Sequence, residues 1–249
     1  MEQHARICVV IPTYRNAGTV ADVVTRTLEQ LKEVSGSRVI VVNDGSPDNT
    51  DEVLADLPVT LVSYPDNKGK GGALKAGFAK AAELGYDHVI TLDSDGQHYP
   101  EDIPTFIEAI KAHPDAIITG SRNLSAANMP GKNTFANKFS NFWFTVQTAH
   151  KLPDTQTGFR LYPLRKMGDM HLMTSRYEAE LELLVRSAWR NIELIPLPIN
   201  VYYPPEGERV SHFRPGRDFT RISILNPFFC FAAIFYGYPS MLIRKILGK

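Results

Sequence analysis

The sequence predicts an α/β protein, with a mostly parallel central sheet flanked by helices. Apolar runs and helical patterns alternate regularly through the first 120 residues. The segment after each apolar run is polar or Gly-rich. Strands alternating with helices form parallel sheets with helices on both faces.

The elements follow in order. Ile7 to Pro12 is an unbroken apolar run, as in a strand buried on both faces. Val20, Val23, Val24, Thr27, Leu28 and Leu31 recur at helical spacing. Arg38 to Val42 reads as a second buried strand and Val59 to Ser63 as a third. Gly72 to Leu84 reads as a helix with Leu74, Gly77, Phe78 and Ala81 on one face. His88 to Leu92 is a fourth strand. Pro100 sits at a first helical turn, and that helix runs to about Lys111. Ala116 to Thr119 is a fifth strand.

Ligands of such sheets bind beyond the carboxyl ends of the strands. The segments there are PTYRN, NDGSPDN, PDNKGKGG, DSDGQH and GSRN. After Arg122 the rhythm changes. A loop over 123–133 precedes an aromatic-rich helix over 134–150. Asp154 to Tyr162 is a loop leading into a strand, Tyr177 to Arg190 a helix, and Glu193 to Tyr203 an extended stretch broken by prolines.

With 249 residues, 43% of them hydrophobic, the chain can bury the core of one large domain. Basic and acidic residues number 27 each, so overall charge gives no sign of a nucleic-acid partner. The distribution is uneven. From Arg209 to Lys249 there are seven basic residues and one acidic residue, which points to an anionic partner for the tail. Cys8 and Cys230 lack metal or redox spacing and read as reduced thiols of a cytoplasmic protein. The N-terminal residues do not form a signal peptide.

Ile222 to Ile243 holds no charged residue over 22 positions. Asn226-Pro227 reads as a helix start and Pro239 as a break. The helix between them, roughly 17 Å, is too short for a bilayer core of roughly 30 Å. Two segments are expected: residues 1–221 as the main domain, and 222–249 as an apolar, basic tail lying in a membrane interface. The other reading is a buried C-terminal helix.

The chemistry centres on Asp93-Ser94-Asp95, at the end of a buried strand. Two carboxylates two residues apart can both reach a hard cation where Gly96 lets the chain turn, and oxygen ligands select Mg²⁺ or Mn²⁺. Taken alone, the triplet also reads as a solvated turn. Asp44, in Asn43-Asp44-Gly45-Ser46, can accept bonds from a base or a ribose, or can simply make an Asp-Gly turn. The stretch from Asn67 to Gly72 can hold an anion at a helix N-terminus, or be a flexible turn; the P-loop pattern is absent. No GxGxxG follows the first strand, which excludes a Rossmann dehydrogenase.

These stretches resemble glycosyltransferase family 2, and within it the polyprenyl (dolichyl) phosphate mannose or glucose synthases. The matching segments are VVIPTYRN, VNDGSPDNT, NKGKGGALKAGF, TLDSDGQHYPEDIP, GSR and DTQTGFRLYP, in order from Val9 to Pro163, with a weaker echo through Glu180 and residues 197–213. The resemblance implies a GT-A fold and a membrane-associated enzyme. It implies metal-dependent, inverting transfer of a hexose from a UDP- or GDP-linked donor to a lipid-linked acceptor.

It also implies roles. Pro12, Tyr14, Asp44 and Gly45 hold the nucleoside side of the nucleotide sugar. Lys70 and Ser94 also bind the nucleotide sugar, Asp93, Asp95 and Arg209 meet its diphosphate, and Asp95, Arg122 and Asp154 are the candidate catalytic residues. Asp93, Asp95 and Gln97 ligate Mg²⁺ or Mn²⁺. Arg122, helped by Lys132, meets the acceptor phosphate. Asp154 is the candidate base if the acceptor is a hydroxyl. The sequence departs from the family at Arg15-Asn16, at Asn43 and over 209–219. A family 2 transferase acting on a glycan or lipid hydroxyl is the alternative, and a non-catalytic nucleotide- or lipid-binding protein on this fold is a further one.

Overall fold

The structure, a computed structural model, describes residues 5–123, 131–168, 170–203 and 215–248, with the backbone alone at 131–135, 215 and 217–219. Seven strands form the sheet: β1 Ile7–Thr13, β2 Arg38–Asn43, β3 Thr60–Ser63, β4 His88–Thr91, β5 Ile117–Ser121, β6 Arg160–Pro163 and β7 Leu194–Pro198. Their order is β3-β2-β1-β4-β6-β5-β7. The third strand is not buried as expected: at the sheet edge, β3 alternates half-buried and exposed residues. The sheet is mostly parallel, as expected. β6 alone runs antiparallel, to both β4 and β5.

The helices are α1 Val20–Gln30, α2 Thr50–Leu54, α3 Lys70–Glu83, α4 Ile103–Ala112, α5 Gly131–Thr148, α6 Leu164–Met167, α7 Glu178–Trp189, α8 Pro215–Ala232 and α9 Tyr238–Ile246. Side-chain alternation along β1 divides the core. Ile7, Val9 and Ile11 pack with Val20, Val23 and Val24 of α1 and with Ile103 and Phe106 of α4. Cys8 and Val10 face Ala73 and Ala81 of α3. Cys8 is a free thiol, and burial pushes its pKa up to about 12.

The registers bring the strand ends level. Thr13 pairs with Asn43, and Val10 with Thr91. Tyr14, Asp44 and Asp93 therefore leave the sheet along one edge. Because β6 is reversed, its N-terminal approach, Asp154 to Phe159, reaches the same edge.

The tail departs from the expectation. Asn226-Pro227 does not start a helix. α8 begins at Pro215, carries Pro227 inside it and continues through a π turn, Ala233–Gly237, into α9. Tertiary packing overrides the proline. Gln147 of α5 donates to Asn226 Oδ1 at 3.0 Å, and Phe229 is fully buried edge-on against Trp189 of α7. Pro239 enters the first turn of α9, where a missing N–H costs little. The apolar helix Thr220–Ile246 has 27 residues, long enough by length and composition to cross a membrane, so the expected length limit does not apply. The expected boundary at 221/222 falls inside α8.

Candidate active site

Three carboxylates and one ammonium meet beyond β4. Lys70 Nζ lies 2.8 Å from Asp93 Oδ1 and 2.9 Å from Glu180 Oε2. Lys70 is the first residue of α3, which opens two residues earlier than its apolar pattern indicates. A Cβ at Gly69 would lie 2.7 Å from Ser175 O, and one at Gly71 would collide with Ala179. Gly72 N donates to Ser175 O at 2.9 Å. These glycines let α3 press against the segment that leads into α7, which brings Lys70 beside Glu180.

The Gly-rich stretch is also held from its other side, by Asp44. Asp44 accepts hydrogen bonds from the amides of Lys68 and Gly69, both at 2.8 Å, and from Asn67 Nδ2 at 2.9 Å. Its carboxyl pKa is raised because burial outweighs those bonds. Asp44 thus folds this loop onto the end of β2. Gly45, with φ of 70°, sits where a Cβ would lie 2.8 Å from Asn67 N.

Asp93 is packed against Gly158, where an added Cβ would lie 2.5 Å from Asp93 Oδ2. Burial alone would raise the Asp93 pKa, but the charge and hydrogen bond of Lys70, together with the nearby His98 and Arg160, outweigh it and hold the carboxyl low. Asp95 differs. Burial, and then the Asp93 charge, push it up to about 6. Its Oδ1 accepts a hydrogen bond from Gln97 N at 3.0 Å. His98, whose Nδ1 is 3.9 Å from Asp93 Oδ2, has its pKa pushed down by burial to about 4 and is neutral near pH 7. Ser94 turns away: its hydroxyl accepts from Asn16 Nδ2 at 2.8 Å and its carbonyl from Thr19 Oγ1 at 2.7 Å.

This donor set fits a hard divalent cation. The Asp93–Asp95 pair carries more negative charge than Lys70 neutralises. Among the described residues, no group of three His, Cys, Asp or Glu side chains forms a complete cage. Magnesium-type sites commonly use one or two carboxylates and fill the rest of the shell with substrate phosphate and water.

A second constellation flanks the first. Arg122, just after β5, donates to Asp154 from Nε at 2.6 Å and from Nη2 at 2.9 Å. Asp154 also accepts from Arg122 N at 3.3 Å, Gln156 N at 3.0 Å and Asn137 Nδ2 at 2.6 Å. Burial would raise its pKa, but the bond and charge of Arg122 outweigh it, and the net shift is downward. Arg160 on β6 is fully buried, donating to Glu180 O at 2.8 Å and Thr155 O at 2.9 Å.

The edge thus assembles Pro12 near the end of β1 and Tyr14 just after it, Asp44 and Gly45 after β2, Lys70, Asp93 to Gln97, Arg122 and Asp154. Pro12 is buried, and Tyr14 is half-buried with the Arg15 guanidinium 5.4 Å over its ring. The Lys132 side chain and all of Arg209 lie outside the described residues. Sequence reading gave no role to Glu180, His98, Asn137, Gly158 or Arg160. For Glu180 the surrounding pattern misled, because α7 is buried along nearly its whole length, its glutamates included.

The profile of Glycosyl transferase family 2 matches residues 8–166. The chain belongs to this family. Among its family 2 relatives is the UDP-N-acetylglucosamine–dolichyl-phosphate N-acetylglucosaminyltransferase of Methanococcus voltae, 29% identical over 219 residues, covering 79% of this chain and 86% of the relative. The undecaprenyl-phosphate mannosyltransferase of Micrococcus luteus is also 29% identical, over 215 residues, covering 82% and 86%. A crystal structure of glucosyl-3-phosphoglycerate synthase from Mycobacterium tuberculosis, in complex with Mn²⁺, uridine diphosphate and glucosyl-3-phosphoglycerate, superposes with a TM-score of 0.67. It covers 92% of this chain and 80% of the other at 18% identity, a likeness of fold. This family 2 protein is therefore a glycosyltransferase of GT-A-like fold.

Proposed function

We propose that the enzyme transfers a hexose from a nucleotide sugar to a polyprenyl-phosphate-type lipid, with inversion, at the cytoplasmic face of a membrane. The observation that carries this reading is the state of Asp154. A hydroxyl acceptor needs a base, and its candidate is already saturated by five hydrogen bonds and held low by Arg122. A lipid phosphate is anionic near pH 7 and needs none. The names of the M. voltae and M. luteus relatives support the same acceptor class.

An acceptor phosphate oxygen forms the new bond to C1 of the sugar. The C1–oxygen bond to the diphosphate breaks, and its electron pair leaves with the nucleoside diphosphate. A divalent cation, Mg²⁺ or Mn²⁺, supplies positive charge to that leaving group when bound. Asp93, Asp95 and the Gln97 amide would hold it. Pro12, Tyr14, Asp44 and Gly45 line the nucleoside end, with Asp44 acting by shaping the 67–69 loop. Arg122, oriented by Asp154, binds the acceptor phosphate through a guanidinium that retains further N–H donors. The family resemblance assigns Lys132 to the same phosphate and Arg209 to the donor diphosphate.

The tail supports a helix lying along the membrane surface. Asn226, Phe229, Ala233 and Gly237 face the domain, whereas Ile224, Phe228, Phe231, Phe235, Leu242 and Ile246 are exposed. A helix docked lengthwise on the domain is poorly placed to leave it and cross a bilayer. Its exposed apolar stripe, with Arg244 and Lys245, suits an anionic lipid surface.

The test is transfer from radiolabelled UDP- and GDP-hexoses, with Mn²⁺ and vesicles containing polyprenyl phosphate. Label entering the lipid phase, and lost on chelation, is the expected result. Metal-dependent donor hydrolysis with no labelled lipid would overturn the acceptor assignment.

A further inference from the structure

We infer that Lys70 is a built-in counter-cation of the donor site: it holds Asp93 until a divalent metal binds, then yields Asp93 and remains paired with Glu180. This rests on the metal-site reading proposed above.

Three observations carry it. Lys70 Nζ sits between Asp93 Oδ1 and Glu180 Oε2 at 2.8 and 2.9 Å, so it occupies one of the oxygens a cation on Asp93 would use. The side chain is only 16% exposed, and a buried ammonium requires a carboxylate partner. Glu180 supplies that partner whatever happens at Asp93, because the close contact at Gly71 and the Gly72–Ser175 hydrogen bond tie the start of α3 to the approach to α7. Lastly, Lys70 is the side-chain cation in direct contact with Asp93 among the described ion pairs, since buried Arg160 bonds to carbonyls and to Tyr162.

The consequence is electrostatic. Without metal, Lys70 keeps the buried acidic cluster partly neutralised and its geometry intact. A divalent ion must displace a like charge from Asp93, which weakens ion binding in the absence of donor. Glu180 is then a positioning residue for Lys70, and Gly71 for both.

The test is Mn²⁺ binding without nucleotide, followed by electron paramagnetic resonance of the free ion. It compares the parent enzyme with Lys70→Met, Lys70→Arg and Asp95→Ala, each checked for folding by thermal unfolding. Lys70→Met is expected to bind Mn²⁺ on the order of tenfold more tightly, because a like charge a few ångströms away is removed. Lys70→Arg should stay near the parent. Asp95-dependent binding in the parent, with Lys70→Met no tighter, would overturn this inference and leave the metal site standing. No Asp95-dependent binding in any variant would overturn both. If Lys70→Met does not fold, Glu180→Gln serves instead. It leaves Lys70 to Asp93 alone and should weaken Mn²⁺ binding severalfold; unchanged binding would count against the inference.

Discussion

Asp154 holds Arg122 by two side-chain hydrogen bonds, at 2.6 and 2.9 Å, and has no exposed side-chain surface of its own. A carboxylate so engaged orients a guanidinium, and the first prediction concerns that guanidinium. Arg122→Lys keeps the charge but loses the two-point pairing. The acceptor KM should rise about tenfold, with a smaller change in kcat. Initial rates across a polyprenyl phosphate series would show it. A large fall in kcat at unchanged KM would remove Arg122 from acceptor binding.

Asp154→Asn separates the two acceptor chemistries. If Asp154 only positions Arg122, kcat should fall by less than about tenfold while the acceptor KM rises. Loss of a general base costs roughly 10²–10⁴ in rate. A fall of that size, with Arg122 still in place, would return the hydroxyl acceptor to favour.

The same carboxyl gives a pH signature in stability. Its folded pKa lies below the ordinary value, so its stabilising contribution is complete above the unfolded pKa of about 3.9 and is lost as pH falls through the folded value. Unfolding midpoints of parent and Asp154→Asn should therefore differ by a constant amount above about pH 5 and converge in stronger acid. A difference that instead grew toward low pH would show that Asp154 is not held ionised.

Gly158→Ala should disable the donor site while sparing the fold. The added methyl would lie 2.5 Å from Asp93 Oδ2, so the carboxylate must move. Transfer should fall by about a hundredfold or more, since an ångström at the reacting centre costs that much. Mn²⁺ binding should weaken in parallel, while far-ultraviolet circular dichroism stays unchanged.

The two faces of the tail helix should respond oppositely. Phe231→Ser with Phe235→Ser should cut sedimentation with anionic vesicles severalfold and leave the unfolding midpoint nearly unchanged, because both side chains are exposed. Phe229→Ala should destabilise the domain by about 3–5 kcal/mol, because that ring is buried against Trp189. Equal vesicle binding by the double serine variant would refute the interfacial assignment.

Local pattern was enough for the strands, for most of the helices and for the carboxylates that end β2 and β4. An unbroken apolar run of strand length, bounded by turn residues, reads as an inner strand, and polar residues after it then lie on the sheet's carboxyl edge. Pattern could not pair Lys70 with Glu180, or Arg122 with Asp154, because those partners lie far apart in the chain and meet only when α3 docks on α7 and β6 enters the sheet reversed. The stretch from Asn67 to Gly72 could be read as an anion site or as a flexible turn, because glycine spacing alone does not reveal what approaches the backbone; residues 175–179 and the Asp44 carboxylate do so. Asn226-Pro227 read as a helix start because local propensity disfavours a helical residue before proline. Burial of Phe229 and the Gln147–Asn226 hydrogen bond outweigh that preference, and such contacts exist only once the helix lies on the folded domain.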